Sequence, residues 1–441
     1  MLSNQFPKKI AVLGSAGKMG SGITLLAALD LADRIADSAQ TDLKLYALDV
    51  SEESLDGLKK YVAAQSRKLG EKRLEVLRTR YHENIQLSDE ELIEKYVQDV
   101  LSNLVTTTSI EDLKNVELIF EAVNENMDLK TRLIKTISGN CEAPPFIFTN
   151  TSSIPIKELE ESTGLSGRVL GFHFYNPPAI QKLVELITTD STSNEIIEYA
   201  NTLAKRMRKI IVPSNDIAGF IGNGHFMRDL LYAFKELKKL QGGLSFAEGV
   251  YLIDFVTKRL LVRPMGIFQL ADYVGLDVCK NILSVMDSRI HGEVLSDDLI
   301  VELFGKGVVG GQNSDGSQKK GIFNYEKNKI SEVFEISSGD YVPISKIEGQ
   351  VLSRLGTLPT IIPEWKDTIR SEEKERILSE YFTEMANLDS FGARFTMDYL
   401  RKSKDIGENL VSSGVTNYSE NVNNVLLLGF YHAYGAINNY C

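Results

Sequence analysis

The sequence has few cysteines, and none is placed for a disulfide or a metal. Cys141, Cys279 and Cys441 are the only three in 441 residues, and they show neither a CxxC motif nor another metal-ligand spacing. A disulfide framework and a structural zinc site are therefore not expected. The five histidines form no metal-binding pattern either. We predict a protein without a metal, located in the reducing cytoplasm.

The chain also lacks an excess of positive charge and any long apolar run. Its formal net charge of -11 disfavours a general nucleic-acid surface, because phosphate neutralisation requires clustered lysines and arginines. No apolar stretch approaches the roughly 20 residues that span a bilayer. Residues 1–9 are too short and polar to contain the apolar segment of a signal peptide. These absences predict a protein that is neither exported nor membrane-spanning and binds no nucleic acid.

The length and composition are those of a globular protein with two or three domains. Of the 441 residues, 43% are hydrophobic and 25% are charged. In the first half, apolar runs of strand length alternate with helical patterns, which predicts an α/β domain with a doubly wound, Rossmann-like parallel sheet over residues 1–212. The predicted strands are Ile10–Leu13, Leu43–Asp49, Leu118–Glu121, Phe146–Thr149, Val169–Phe174 and Lys182–Ile187.

Three other regions differ from this alternation. Residues 51–103 are charged, have helical spacing and are too long for an ordinary crossover, so we predict a helical arm there. From about residue 213 the pattern is helical, which predicts a second domain over 213–340 that includes a glycine-rich loop at 305–321. Residues 341–441 again have helical spacing and predict an additional helical region, so the C-terminal part is expected to be all-α.

A glycine-rich segment follows the first predicted strand and precedes a helix. Gly14-Ser15-Ala16-Gly17-Lys18-Met19-Gly20 has the spacing GxxGxxG, one residue longer than the usual dinucleotide motif. Such a turn lets the backbone approach a pyrophosphate at a helix N-terminus. Asp49, which closes the second strand, can bind an adenosine ribose and favours NAD over NADP. The alternatives are a tight turn without a ligand and a solvated carboxylate.

Three short segments supply the groups that alcohol oxidation requires. They are Asn150-Thr151-Ser152-Ser153, His173-Phe174-Tyr175-Asn176-Pro177 and Glu185. Histidine is suited to remove the hydroxyl proton near neutral pH, and a turn at Asn176-Pro177-Pro178 can return the strand with Glu185 beside the strand with His173. Each residue also has a structural alternative. His173 could simply be a buried histidine, Ser152 or Ser153 could cap a helix, and Asn176 could be a turn residue.

Taken jointly and in order, eight segments resemble the 3-hydroxyacyl-CoA dehydrogenases over about residues 8 to 330. They are Gly17–Ile23, Glu121–Asn126, Asn150–Ser153, Gly171–Pro177, Lys182–Glu185, Asp216–Asn223, Pro264–Gly266 and Asp272–Asp277. The resemblance implies that His173 is the general base, that Glu185 orients it and that Ser152 and Asn223 bind the substrate oxygen. It further implies a contact of Asn176 with the substrate and of Glu121, Asn126 and Asn150 with the cofactor, while Lys68 and Lys72 are candidates for the CoA phosphates.

The resemblance has two departures. The segment 216–224 lacks the proline that usually precedes the Gly-Phe pair and the arginine that usually follows Asn223, which puts the local geometry in doubt. The chain is also about a hundred residues longer than the family members that act alone. Asn424–Phe430 with Tyr434-Gly435 is similar to the end of a second copy of the helical domain, which would make a pseudo-dimeric monomer. The alternative is an extension that enlarges a homodimer interface.

The sequence therefore predicts an NAD-dependent enzyme that reversibly oxidises (S)-3-hydroxyacyl-CoA to 3-ketoacyl-CoA in fatty-acid β-oxidation or related acyl-CoA metabolism. Two alternatives stay open. Dehydrogenases of carnitine and sugar acids share the arrangement of His, Asn-Pro-Pro and Glu and need no CoA arm. A non-catalytic, NAD-binding structural protein could also keep this fold.

Overall fold

The computed structural model describes residues 6–38, 42–81, 87–312, 317–327 and 329–441. His82 and residues 313–316 of the predicted glycine-rich loop lie outside these ranges. The chain divides into two units, Met1–Asp216 and Ile217–Cys441, which are described separately. No helix among the described residues has the length and hydropathy of a bilayer-spanning segment.

Unit 1 is built around an eight-stranded sheet with the order β3-β2-β1-β4-β5-β6-β7-β8. All neighbours are parallel except the antiparallel pair β6 and β7. The predicted doubly wound sheet is confirmed. Its strands are β1 Lys9–Leu13, β2 Lys44–Leu48, β3 Leu104–Thr107, β4 Leu118–Glu121, β5 Phe146–Thr149, β6 Val169–Phe174, β7 Leu183–Thr188 and β8 Ile210–Asn215.

The two edge strands, β3 and β8, are absent from the sequence prediction. β3 has four residues, of which only the last is buried, so it shows no apolar run. β8 contains Pro213, which an edge strand tolerates because one side of its backbone has no ladder partner. The six predicted strands are the inner ones, and their nearly continuous burial explains why their apolar runs stand out.

Seven helices accompany this sheet in the described part of unit 1. They are α1 Gly20–Ser38, α2 Glu52–Lys72, α3 Leu74–Arg80, α4 Asp89–Leu101, α5 Met127–Gly139, α6 Ile156–Thr163 and α7 Asn194–Arg206. The charged stretch 51–103 contains α2, α3 and α4. Leu55, Leu58 and Val62 of α2 are buried in the same apolar core as Tyr96 of α4, so these helices pack on one another through their apolar faces.

Unit 2 is mainly helical, as predicted, but it also contains a small sheet that the sequence prediction lacks. The helices are α8 Gly222–Leu240, α9 Phe246–Phe255, α10 Ile267–Val274, α11 Leu276–Asp287, α12 Asp298–Gly305, α13 Ile344–Leu355, α14 Trp365–Thr368, α15 Lys374–Ala386, α16 Phe391–Ser412 and α17 Ser419–Gly429. A π-helical turn, Val256–Leu260, follows α9. The sheet is antiparallel with the order β11-β10-β9, and its strands are β9 Phe323–Glu326, β10 Lys329–Phe334 and β11 Tyr341–Pro343.

Residues 341–441 share one apolar core with residues 217–340. The cluster that includes Met227 and Phe234 also includes Phe382 and Tyr399. Buried polar groups join the two segments as well, because the ion pair of Arg263 with Asp229 (2.7 Å) is extended by a hydrogen bond from Arg263 to Ser403. The last hundred residues are therefore an integral part of unit 2.

Candidate active site

His173 and Glu185 face each other across the antiparallel pair β6 and β7. They are directly opposite in the strand register, which places both side chains on one face of the sheet. His173 Nδ1 lies 3.1 Å from Glu185 Oε2. The Glu185 side chain has no exposed surface, whereas 11% of the His173 side chain is exposed. The buried carboxylate of Glu185 thus contacts one ring nitrogen of His173, and part of the ring remains exposed to solvent.

Ser152 lies in a turn after β5 that is organised by Glu125. Glu125 Oε1 accepts hydrogen bonds from the backbone amides of Ser152 and Ser153 (3.2 Å each), and from the hydroxyls of Thr151 (2.5 Å) and Ser153 (2.9 Å). Burial raises the pKa of Glu125, but Lys130 and these hydrogen bonds outweigh burial and lower it overall. The turn therefore depends on an ionised Glu125.

Glu121 is a structural carboxylate in this conformation, and its predicted contact with a cofactor ribose stays a prediction. Its side chain has no exposed surface. Lys130 Nζ lies 2.9 and 2.8 Å from its two oxygens, which also accept hydrogen bonds from the Val123 amide and the Thr149 hydroxyl. Because Glu121 is the last residue of the buried strand β4, it points into the protein. Lys130 also lies 3.1 Å from Glu125, so one buried ammonium is shared by the two acids.

Two asparagines predicted at the cofactor have structural partners. Asn126 Oδ1 accepts a hydrogen bond from Leu129 N and caps α5. Asn150 Oδ1 accepts one from Phe174 N at 2.8 Å, which ties the end of β5 to the residue after His173. The side-chain oxygens of Asn126 and Asn150 thus stabilise the backbone around the candidate site.

The glycine segment forms a closed turn against the end of β2. Gly14 has a φ of 71°, which favours glycine, and its amide and that of Ser15 donate to Leu48 O. A Cβ on Gly20 would lie 1.9 Å from Gly14 O, so no side chain fits there. Asp49 accepts hydrogen bonds from the amides of Ala16 and Val50, each at 2.8 Å. The turn leads directly into α1, which has no acidic residue in its first turn.

The turn with Asn176 and two prolines is anchored at both ends. Lys209 Nζ donates hydrogen bonds to the backbone oxygens of Pro178 and Gln181, and burial lowers the pKa of this lysine to about 8. On the other side, Pro178 lies so close to Gly22 of α1 that a Cβ on Gly22 would be 2.9 Å from the proline ring. The turn therefore connects the strand of His173 to the helix behind the glycine segment.

The remaining predicted residues lie on helices. Asn223 is the second residue of α8 in unit 2. Lys68 and Lys72 are exposed and stand one helical turn apart on α2. Arg67, by contrast, pairs with Glu90 and Glu94 of α4.

Comparison with known proteins assigns the family. The model for the NAD-binding domain of 3-hydroxyacyl-CoA dehydrogenase matches residues 9–217, and the model for its C-terminal domain matches residues 219–320. The "Probable 3-hydroxybutyryl-CoA dehydrogenase" of Bacillus subtilis (strain 168) is 32% identical over 286 residues, which are 64% of this chain and 86% of the relative. The chain belongs to the 3-hydroxyacyl-CoA dehydrogenase family.

Two further similarities extend this result. The mitochondrial hydroxyacyl-coenzyme A dehydrogenase of Homo sapiens is 31% identical over 277 residues, which are 63% of this chain and 79% of the relative. The crystal structure of 3-hydroxybutyryl-CoA dehydrogenase from Escherichia coli K12 matches with a TM-score of 0.64 over 98% of this chain and 91% of that chain. Its identity is 19%, so this likeness concerns the fold alone. It includes the last hundred residues.

The 3-hydroxyacyl-CoA dehydrogenases use NAD, and the glycine turn fits this cofactor. The three glycines leave a cradle without side chains at the start of α1, where backbone amides and the helix dipole attract a pyrophosphate. Asp49, at the end of the neighbouring strand, is fixed by two amides. NAD is thus the cofactor of unit 1, with the activity of an NAD-dependent hydroxyacyl-CoA dehydrogenase.

Sequence reasoning missed Glu125, Lys130 and Tyr175. The first two belong to the segment that follows β4, and a lysine within an amphipathic helix gives no sign that it is buried. Tyr175 donates a hydrogen bond to Glu185 Oε2 at 2.7 Å. Its position two residues after His173 is a usable signal, because alternate residues of an extended segment share a side.

Proposed function

We propose that His173 removes the proton of the 3-hydroxyl group of an (S)-3-hydroxyacyl-CoA and returns it in the reverse reaction. The observation that carries this role is the contact of His173 with buried Glu185 across β6 and β7. With Nδ1 directed at Glu185, Nε2 is the ring nitrogen that would take the hydroxyl proton, and a carboxylate stabilises the imidazolium that forms. NAD, when bound, accepts the hydride.

Three neutral groups would complete the site. The turn held by Glu125 supports a role of the Ser152 hydroxyl as a hydrogen-bond partner of the substrate oxygen. Asn223, at the start of α8, is proposed to bind the same oxygen. Asn176 is proposed to contact the substrate from the turn anchored by Lys209. The proposed cofactor contacts are Gly14, Gly17, Lys18, Met19, Gly20, Asp49, Glu121, Asn126 and Asn150. To these we add Glu125, which shares Lys130 with Glu121.

For coenzyme A, we propose that Lys68 and Lys72 meet its phosphates. Both ammonium groups are exposed on one side of α2 and have no ion-pair partner among the described residues. Arg67 is engaged with two glutamates and is the weaker candidate. Exposed cations interact with a phosphate mainly through screened charge.

The decisive experiment is a screen of NADH oxidation. The substrates are 3-ketoacyl-CoA thioesters of increasing chain length, dehydrocarnitine and free 3-keto acids, each also with NADPH. Turnover of the thioesters alone, with NADH preferred, supports the proposal. Turnover of the free acids or of dehydrocarnitine favours the enzymes that need no CoA arm. Absence of NADH oxidation with every substrate favours the non-catalytic alternative.

We also propose that residues 341–441 contain a degenerate second copy of the end of the family's helical domain. In α9, Asp254 is followed after eight residues by Val262 with a φ of 51° and after twelve by Gly266. In α17, Asn423 is followed at the same two distances by Tyr431, with a φ of 56°, and by Gly435.

The two sites also share their packing. A Cβ on Gly266 would lie 2.1 Å from Asp254 Oδ1, and one on Gly435 would lie 2.2 Å from Asn423. Asp254 and Asn423 each accept a hydrogen bond from a backbone amide just beyond the glycine, at 2.9 Å. Such a repeat favours a pseudo-dimeric monomer over a homodimer. Light scattering after size exclusion tests it, since a stable dimer would contradict the proposal.

A further inference from the structure

Tyr175 and His173 contact the same oxygen of Glu185. The Tyr175 hydroxyl donates to Oε2 at 2.7 Å, and His173 Nδ1 lies 3.1 Å from that oxygen. The two aromatic rings are 5.1 Å apart between centroids. One carboxylate oxygen therefore serves both the candidate base and a phenol from the segment just after β6.

Tyr175 is a stable donor in this contact. Burial, followed by the charge of Glu185, raises the pKa of Tyr175 well above its usual value. The phenol therefore stays protonated throughout the pH range of a working enzyme. Glu185 has no exposed surface, so hydrogen bonds rather than water must compensate its charge.

We propose that Tyr175 is a positioning residue that sets the basicity of His173 through Glu185. This inference rests on the proposed role of His173 as the base. A carboxylate that already accepts a short hydrogen bond has less negative charge to offer to a neighbouring imidazolium. With Tyr175 in place the imidazolium is stabilised less than it would be beside a carboxylate that lacks this hydrogen bond.

Groups on three neighbouring elements differ from Tyr175 in charge or in their partners. On β8, the residue in register with Glu185 is the apolar Val212. Lys130, near the turn that contains Ser152, pairs with Glu125 at 3.1 Å and with Glu121 at 2.8 Å, so this cluster keeps one net negative charge. Glu160 of α6 makes its hydrogen bonds to the loops that precede β6 and follow β7.

The test compares pH profiles of kcat/KM for oxidation between about pH 5 and 9, where an unperturbed histidine titrates. In Tyr175→Phe, which keeps the ring, the midpoint of the acid limb should rise by about 0.5–1 unit. Site-specific 3-fluorotyrosine at position 175 is a more acidic donor and should lower the midpoint. Tyr199→Phe is the matched control, because its buried hydroxyl has no hydrogen-bond partner among the described residues, and its profile should match the wild type.

A second measurement does not depend on turnover. NMR titration of the His173 ring in wild type and Tyr175→Phe should show the same upward displacement. An unchanged midpoint in this titration overturns the inference, whether or not any substrate is turned over. Failure of the wild type in the substrate screen would instead remove the proposed function. If Tyr175→Phe does not fold, the fluorotyrosine protein decides, and a midpoint equal to that of the wild type contradicts the inference.

Discussion

Leu410 of α16 fills the space beside Gly224 of α8, where an added Cβ would lie 2.9 Å from Leu410 Cδ2. The family's usual arginine after Asn223 would stand at position 224, where its side chain would meet Leu410 of α16. The departure at position 224 thus coincides with a packing contact made by the last hundred residues.

Gly224→Ala should destabilise the protein, although alanine normally stabilises a helix interior by about 0.5–1 kcal/mol relative to glycine. Overpacking against Leu410 should lower the free energy of unfolding by about 1–3 kcal/mol. Gly57→Ala in α2 is the matched control, since a Cβ there meets nothing within 4 Å, and it should be neutral or stabilising. Urea unfolding of both variants measures the contrast, and equal effects would contradict this packing.

His173→Ala should lower kcat by about 10²–10⁴-fold, as is usual for loss of a general acid–base group, while NADH binding followed by fluorescence is retained. The exposed His291 provides the control, because His291→Ala should leave both quantities unchanged. Turnover near the wild-type level in His173→Ala would remove the base assignment.

Glu125→Gln should lower the free energy of unfolding at pH 7 by about 2 kcal/mol, the scale of hydrogen bonds to a charged group. Because the folded-state pKa of Glu125 is lowered, its contribution is complete above the usual value and is lost as pH falls through the lower one. The wild type should therefore lose stability on acidification over this window, and Glu125→Gln should lose less. Exposed Glu71 gives the control Glu71→Gln, whose acid dependence should follow the wild type.

Replacing Lys68 and Lys72 by alanine should raise KM for the acyl-CoA by about fivefold, a change of about 1 kcal/mol, with kcat unaffected. The difference should shrink at high ionic strength, where exposed charges are screened. Alanine at Lys346 and Lys366, two exposed lysines of unit 2, controls for net charge. If the KM of the double alanine variant equals that of the wild type at low salt, the CoA phosphates bind to another surface.

Arg263→Met should cost about 3–5 kcal/mol of stability, because it leaves buried Asp229 without its partner. Combining it with Asp229→Leu should recover much of this loss. Denaturant unfolding of the single and double variants measures their coupling. If the stability loss of the double variant equals the sum of the two single losses, the ion pair does not couple the two residues energetically.

The inner strands and the contact of His173 with Glu185 were predictable because their signals are local. β6 and β7 are apolar runs joined by a turn with two prolines, and that geometry alone brings His173 opposite Glu185. The small sheet of unit 2 was not predictable in this way. The amides of Ile322 and Phe323, at the start of β9, bind Asp272, about fifty residues earlier in the chain.

The same distinction applies to the turn after β5 that contains Ser152. Ser152 is recognisable from its segment, but Glu125 and Lys130, which hold it, are identified only by contacts across the fold. Glu121 shows the converse case, since a motif match predicted a ligand contact, whereas the structure gives this fully buried side chain structural partners. Asn223 was chosen by motif only, and its role stays a proposal.

The antiparallel register of β6 and β7 constrains how this enzyme can vary over evolution. Phe174 lies opposite Val184, so sliding one strand by a single position would present an aliphatic side chain to the imidazole and send the carboxylate to the opposite face. Residues inserted between β6 and β7 must therefore lengthen the turn without changing the register of the two strands. Among active relatives, insertions and deletions within β6 and β7 should therefore be far rarer than substitutions.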